Sequence, residues 1–425
     1  MRVLQLFAIS FLLGTSVCAP NQTPISFVSQ RDLSLSHVSD NYDAQPVFDV
    51  SAIGVLPSTP TITLQARPTT IWRPRSTAAL LRARLRSLYD AEDEEVEWEQ
   101  VEVLGPDVED KHTISQLARM TGNAYALPEQ KNWYDMDPAW NTSFPFGWED
   151  SADGFRGHVF VSSMSNTVVL AIKGTTLQGP TSKKDKFNDN LLFSCCCARV
   201  DLSWIFSTVC RCYAYKWRCD NTCLRDALVQ DSLFYNIGVG LVNNLTDLYP
   251  TANIWLVGHS LGGSLASLLG TTFGLPSVAF ESPGERLAAQ RLHLPLPPSS
   301  DSVTAYGSAP VTHVYHNADP IPQGACTGPY SLCTQAGYAL ETRCHLGRSI
   351  VYDTVGKLGW RVDVATHRIA QVITKVIEAD LDSGWVGEDG IEREVPIARE
   401  EVDCVDCYKW EFGDYKCHGL HCNAS

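Results

Sequence analysis

Residues 253–270, NIWLVGHSLGGSLASLLG, constrain the fold more than any other stretch. A short apolar run ends in Gly258-His259-Ser260-Leu261-Gly262, and a small-residue helical pattern follows at once. G-x-S-x-G set between a strand and a helix predicts a sharp turn that holds the serine in strained backbone at the top of a sheet. Side chains at the flanking positions would collide with neighbouring elements, and glycine avoids the collision. Ser260 then precedes a helix N-terminus, where backbone N–H groups can receive an oxyanion. A glycine-rich turn with an idle serine is the bland alternative, and the flanking strand and helix count against it.

The rest of the chain supplies elements for such a sheet. Residues 113–124 carry apolar positions at helical spacing, and 157–163 and 167–173 read as strands joined by a turn at Ser165-Asn166. The second strand ends in Gly174-Thr175-Thr176. Residues 224–249 read as one long helix, 277–280 and 311–315 as buried strands, and 364–379 as a C-terminal helix. Strands alternating with helices predict an α/β architecture with a largely parallel centre. The expected domain covers 111–380, after a luminal extension over 20–110 and before an acidic, cysteine-rich tail over 381–425. Within the extension, 78–88 has a basic amphipathic pattern, expected as a solvated helix in preference to a membrane-surface element.

Composition bounds the partners. The formal charge of −15, with no Lys/Arg-rich run, argues against nucleic acid. Residues 1–19 form an apolar segment that reads as a signal peptide or a signal-anchor, at the short limit for a span. Arg2 is the only charge before Arg31, so an uncleaved segment would leave the body of the chain in the lumen. Of the 15 cysteines, setting aside Cys18 leaves an even number, which suits an oxidising compartment. Asn21, Asn141, Asn244 and Asn423 open glycosylation sequons.

A serine hydroxyl needs a base and an orienting carboxylate to become a nucleophile. In folds with this turn they follow in the order serine, acid, histidine. Asp319 lies just past the strand at 311–315, whereas Asp301 sits in a Pro/Ser loop with no strand before it. His367 opens the last helix pattern; His345 sits beside Cys344, and His313 and His316 precede the acid. Cys404 and Cys407 with Cys417 and Cys422 resemble zinc spacing, but disulfides are the expected outcome in a lumen. No nucleotide fingerprint occurs, and acyl transfer by such a triad needs no cofactor and no metal.

Gly258 to Gly263, with Lys173-Gly174-Thr175 upstream and Asn317-Ala-Asp319-Pro-Ile-Pro322 downstream, resembles the fungal class 3 triacylglycerol-lipase type. Cys195-Cys-Cys197, Gly324-Ala-Cys326, Cys344-His-Leu-Gly-Arg-Ser349, Thr366-His-Arg368 and the segment 404–412 narrow the resemblance to the fungal autophagic-body lipases of the vacuole. The resemblance spans about residues 60–415 and implies an α/β-hydrolase fold. It implies Ser260 as nucleophile, Asp319 as orienter, His367 as base, and an oxyanion hole from the amides of Leu261 and Thr175, with the Thr175 hydroxyl as a further donor. It also implies a lid over 177–193, although here that stretch runs into a cysteine cluster. The implied protein is single-pass, with a luminal catalytic domain and its own membrane anchor. Its substrates would be glycerolipid esters of intravacuolar vesicles, in multivesicular bodies and the vacuole, with no obligate protein partner. A secreted esterase for soluble esters and a catalytically inactive membrane-binding lipase fold are the rival readings. An acidic lumen would protonate an ordinary histidine, so the environment of His367 is expected to compensate.

Overall fold

The computed structural model describes residues 64–424 except 91–92, 141, 150–153, 163–166, 197–209, 211, 229–232, 301–302, 329, 382, 388 and 419–420. The apolar segment 1–19, Asn21, Asn141 and the expected turn at Ser165-Asn166 lie outside the described residues. Among the described residues, no helix is long and apolar enough to cross a membrane.

β1 (Ala66–Pro74) and β2 (Trp98–Pro106) form an antiparallel hairpin around α1 (Thr77–Asp90). This region was expected as an extension, but it packs into the main body. Leu80 and Leu88 of α1 are buried, and the Trp255 indole donates to the Leu104 carbonyl at 2.8 Å. Burying a leucine contributes about 1.5–3 kcal/mol, so the apolar side of 78–88 settles against protein. Arg84 on the same helix stacks on Tyr235 at 4.9 Å and donates to the Leu292 carbonyl. The folded unit therefore includes residues from 66 onward, well before 111. The hairpin was hard to see because most of its side chains stay partly or fully exposed.

After α2 (Lys111–Asn123) come β3 (Thr142–Phe146), β4 (Gly157–Val161) and β5 (Thr167–Ile172), then α3 (Ser182–Phe193) and the short β6 (Arg218–Asp220). The expected long helix is two, α4 (Asn221–Leu228) and α5 (Phe234–Leu248), because Leu233 takes an extended backbone at φ −77° and ψ 122°. β7 (Asn253–His259), α6 (Leu261–Phe273), β8 (Ser277–Phe280), α7 (Arg286–Arg291), β9 (Val311–His316) and β10 (Arg348–Tyr352) complete the centre.

Seven strands form one sheet in the order β10-β9-β8-β7-β5-β4-β3. From β10 to β5 every pairing is parallel, and β4 and β3 join antiparallel. Parallel strands are covered on both faces, so they read as unbroken apolar runs. β5 is buried at every position: Val168, Leu170 and Ile172 pack with α6, while Val169 and Ala171 pack with α2.

The tail, set apart in the sequence, belongs to the same body. Ser349 and Arg399 pair by a β-bridge, and Glu411–Gly413 runs parallel to β6. Disulfides join Cys195 to Cys407 and Cys344 to Cys404, so the first two cysteines of the zinc-like spacing are in bridges, while the side chains of Cys417 and Cys422 lie outside the described residues. Cys196–Cys219, Cys212–Cys223 and Cys326–Cys333 add local ties. Asn244 is exposed on α5, and the side chain of Asn423 lies outside the description.

Candidate active site

β7 delivers the chain from the buried centre of the sheet into α6, and Ser260 occupies the junction at φ 58° and ψ −130°. Such strain persists only where the surroundings enforce it. Gly262 permits it, since a Cβ there would lie 2.2 Å from the Ile172 carbonyl oxygen. Glycine is required.

The three residues singled out in the sequence meet at the C-terminal edge of the strands. The Ser260 Oγ lies 2.9 Å from His367 Nε2, and His367 Nδ1 lies 2.6 Å from Asp319 Oδ2. Asp319 is wholly buried in the turn after β9, and its Oδ1 accepts from the Ile321 amide at 2.9 Å. Burial alone would raise its pKa; the charge and hydrogen bond of His367, with hydrogen bonding from Glu281 and the Ile321 amide, bring it below the usual carboxylate value. His367 ends the 3₁₀ turn Val364–His367. Arg368 is extended, so the expected C-terminal helix begins only at Ile369 and continues through a π-helical Val372–Ile377. Asp363 caps the turn through the Ala365 amide, and its own amide donates to the Ala318 carbonyl beside the acid.

A second relay fixes the histidine from its backbone side. His259 Nε2 donates to the His367 carbonyl at 2.7 Å, and the Tyr125 hydroxyl donates to His259 Nδ1 at 2.8 Å. Burial, with the neighbouring His367, pushes His259 down to about 3, so its ring is neutral and its tautomer is set. One chain of hydrogen bonds thus joins Tyr125, just past α2, the residue before the nucleophile and the base.

Gly174 also sets the oxyanion side. A Cβ there would lie 2.1 Å from the His259 oxygen and 3.0 Å from Ser260 Cβ, so the backbone leading to Thr175 runs against the nucleophile. The Leu261 amide is the first of α6, where N–H groups lack intrahelical partners. The Thr175 hydroxyl differs from expectation: it donates to Asp189 Oδ2 at 2.6 Å, which leaves the amide as its donor toward an oxyanion. Burial pushes Asp189 up to about 8, with the Asp185 charge adding and the Thr175 bond opposing.

The stretch 177–193 is not a free lid. Lys173 Nζ bonds Asp185 at 3.0 Å and the Gly174 carbonyl at 2.7 Å. Asp185 also accepts from the Thr176 amide and the Thr181 hydroxyl. Disulfides from Cys195 and Cys196 hold the far end of α3. Leu177 alone on this stretch presents a large apolar side chain to solvent.

The remaining histidines serve elsewhere. His345 pairs with Glu401 at 2.7 Å, and His313 with Glu285 at 3.0 Å. Glu285, His313 and His345 come within 4.8 Å of one another at their ligand atoms, but both rings are engaged by hydrogen bonds to Ser282, Glu285 and Glu401. A cavity of about 680 Å³ opens beside the tail, lined by Trp217, Gln323, Asp406 and Trp410 and by none of the three site residues. Tyr125 and Glu281 escaped the sequence reading, since each lies far in sequence from what it touches and belongs to no motif.

The chain is 48% identical over 373 residues to "Putative lipase ATG15" of Cryptococcus neoformans, a match covering 75% of this chain and 70% of that relative. It belongs to this family of fungal class 3 lipases. The profile described as Lipase (class 3) matches residues 193–279. The protein of the same name from Mycosarcoma maydis is 40% identical over 398 residues, covering 83% of this chain and 76% of its own. That of Saccharomyces cerevisiae is 45% identical over 331 residues, covering 76% and 60%. Among solved structures, Lip2 lipase from Yarrowia lipolytica matches 59% of this chain and 80% of its own, at 19% identity and a TM-score of 0.32, a level that decides nothing by itself. The family carries the lipase assignment, and the sheet carries the α/β-hydrolase fold.

Proposed function

We propose that this chain hydrolyses glycerolipid esters, phospholipids or triacylglycerols, of membranes delivered to the vacuole, and so lyses autophagic bodies and multivesicular-body vesicles. The continuous contact Ser260–His367–Asp319 on a strained turn carries the reading. His367 Nε2 takes the Ser260 proton as Oγ attacks the ester carbonyl, and Asp319 stabilises the imidazolium through Nδ1. The Leu261 and Thr175 amides receive the tetrahedral oxyanion, each worth about 3–4 kcal/mol in the transition state. His367 then protonates the leaving alcohol, and water, activated by the same ring, releases the fatty acid from Ser260. The relatives' printed name and the disulfides of an oxidising compartment support the vacuolar setting. Residues 1–19 would tether the chain, with the catalytic body in the lumen. Headgroup-resolved lipid hydrolysis on vesicles and triacylglycerol emulsions tests this. Ser260→Ala should lower the rate at least about a thousandfold while secretion and folding survive. Retained hydrolysis in that variant would sink the proposal.

A further inference from the structure

A second carboxyl group stands behind Asp319. Glu281 follows β8 directly, is wholly buried, and adopts φ 44°, a left-handed conformation uncommon outside glycine. Its oxygens accept from the His316 amide at 3.1 and 3.5 Å, while the His316 carbonyl accepts from the Asp319 amide at 3.1 Å. One residue's backbone thus holds the two wholly buried carboxyl groups in a single cluster, where they interact directly. Two carboxylates in such contact, away from water, do not both ionise. Asp319 has the His367 ring and the Ile321 amide as donors, while Glu281 has one backbone amide. The charge settles on Asp319 and the proton on Glu281.

The other groups facing Glu281 leave this unchanged. His316 Nε2 lies 3.8 Å from its Oε1 but bonds the Thr366 carbonyl, and burial pushes that ring down. The Tyr315 hydroxyl donates to Glu401. His367 lies beyond Asp319, and the His259 ring beside it is neutral. Burial first, and the Asp319 charge second, raise Glu281 well above the usual carboxylate value.

We infer that Glu281 is a positioning residue which, as a neutral acid, donates a hydrogen bond to Asp319 and keeps the Ser260–His367–Asp319 relay usable at acid pH. A carboxylate that shares its lone pairs with an O–H donor pulls less strongly on the imidazolium, and the acid limb of activity lies lower for it. Glu281 keeps its own proton throughout; the transferred proton passes only from Ser260 Oγ to His367 Nε2 and on to the leaving group. The inference rests on the ester-hydrolase reading and extends it to the acidic compartment proposed above.

The test measures kcat and KM of the full chain for p-nitrophenyl butyrate across pH, with product quantified by chromatography, for wild type, Glu281→Gln and Glu281→Met. Gln retains a neutral donor and should keep the wild-type acid limb. Met retains volume without a donor and should move that limb up by about one pH unit, lowering kcat/KM on its acid side about tenfold with KM little changed. An acid limb that is the same in all three proteins, or that moves alike in Gln and Met, overturns the inference. Where Met fails to fold, infrared difference spectroscopy decides: the wild-type minus Glu281→Gln spectrum at neutral pH should show a carboxylic-acid C=O band, the buried Asp189 acid being common to both and cancelling. A difference spectrum without that band overturns it. A folded wild type without esterase activity overturns the ester-hydrolase reading itself, whereas an active wild type with unmoved limbs overturns only the role of Glu281.

Discussion

Glu401→Gln isolates the electrostatic clamp between tail and core. Glu401 receives His345 Nδ1 at 2.7 Å, the His345 amide at 2.9 Å and the Ser349 hydroxyl at 2.8 Å. Burial alone would lower His345; the charge and hydrogen bond of Glu401, with the charge of Glu285, overcome this and raise it to about 9. Burial would likewise raise Glu401, but the His345 charge and hydrogen bonds hold it well below the usual value. A histidine raised in the folded state contributes stability that is complete below its unfolded pKa and lost as pH rises through the folded one. A carboxylate that is depressed contributes above its unfolded pKa and loses it on acidification. The pair is therefore most useful between roughly pH 4.5 and 6.5, the unfolded values of its members. For His345, a rise from 6.5 to about 9 corresponds to roughly 3 kcal/mol. Gln keeps an acceptor but no charge, so Glu401→Gln should cost about 2–4 kcal/mol near pH 5.5 and under about 1 kcal/mol near pH 9.5. Urea unfolding with disulfides intact reads both. An equal loss at the two pH values would refute the ion-pair reasoning and leave only packing.

Gly174→Ala places a methyl 2.1 Å from the His259 oxygen and 2.3 Å from the Tyr125 hydroxyl. It should destabilise by about 1–3 kcal/mol and cut kcat roughly a hundredfold through the displaced Thr175 amide, read by melting and esterase kinetics. Tyr125→Phe removes the donor to His259 Nδ1 and leaves a buried acceptor unpaired, so stability should fall about 1–3 kcal/mol. With the His367 carbonyl less firmly held, kcat should drop by about tenfold while KM holds; an unchanged kcat would show that the backbone relay is dispensable.

The nucleophile was legible because everything it needs is local: a strand, a helix and glycines on either side of Ser260. Asp319 and His367 were legible for another reason. Chain order and a position just after a strand reduce the choice, even though Asp319 and His367 stand 48 residues apart. The hairpin at 66–106 was missed because its side chains alternate weakly and its burial comes from β7 and α6, which local pattern does not report. The hydroxyl of Thr175 was assigned to the oxyanion because Asp189, on the next helix, gives no sign of its reach. Glu281 and Tyr125 share that difficulty: each is ordinary in its own neighbourhood and acquires meaning only from what the sheet brings against it.

The Cys195–Cys407 bridge has a consequence for biosynthesis, since its partners lie 212 residues apart. Ser260, Asp319 and His367 are all synthesised between the two cysteines. A growing chain can thus possess its complete set of reacting groups while Cys195, at the end of α3, still carries an unpaired thiol. Cys196–Cys219 can tie the end of α3 early, but its second tie waits until residues near 407 have been made and oxidised. A molecule left with this thiol free would hold the right chemistry beside a wall tied by Cys196 alone, so completion is dated by the last stretch to mature and not by the first to fold.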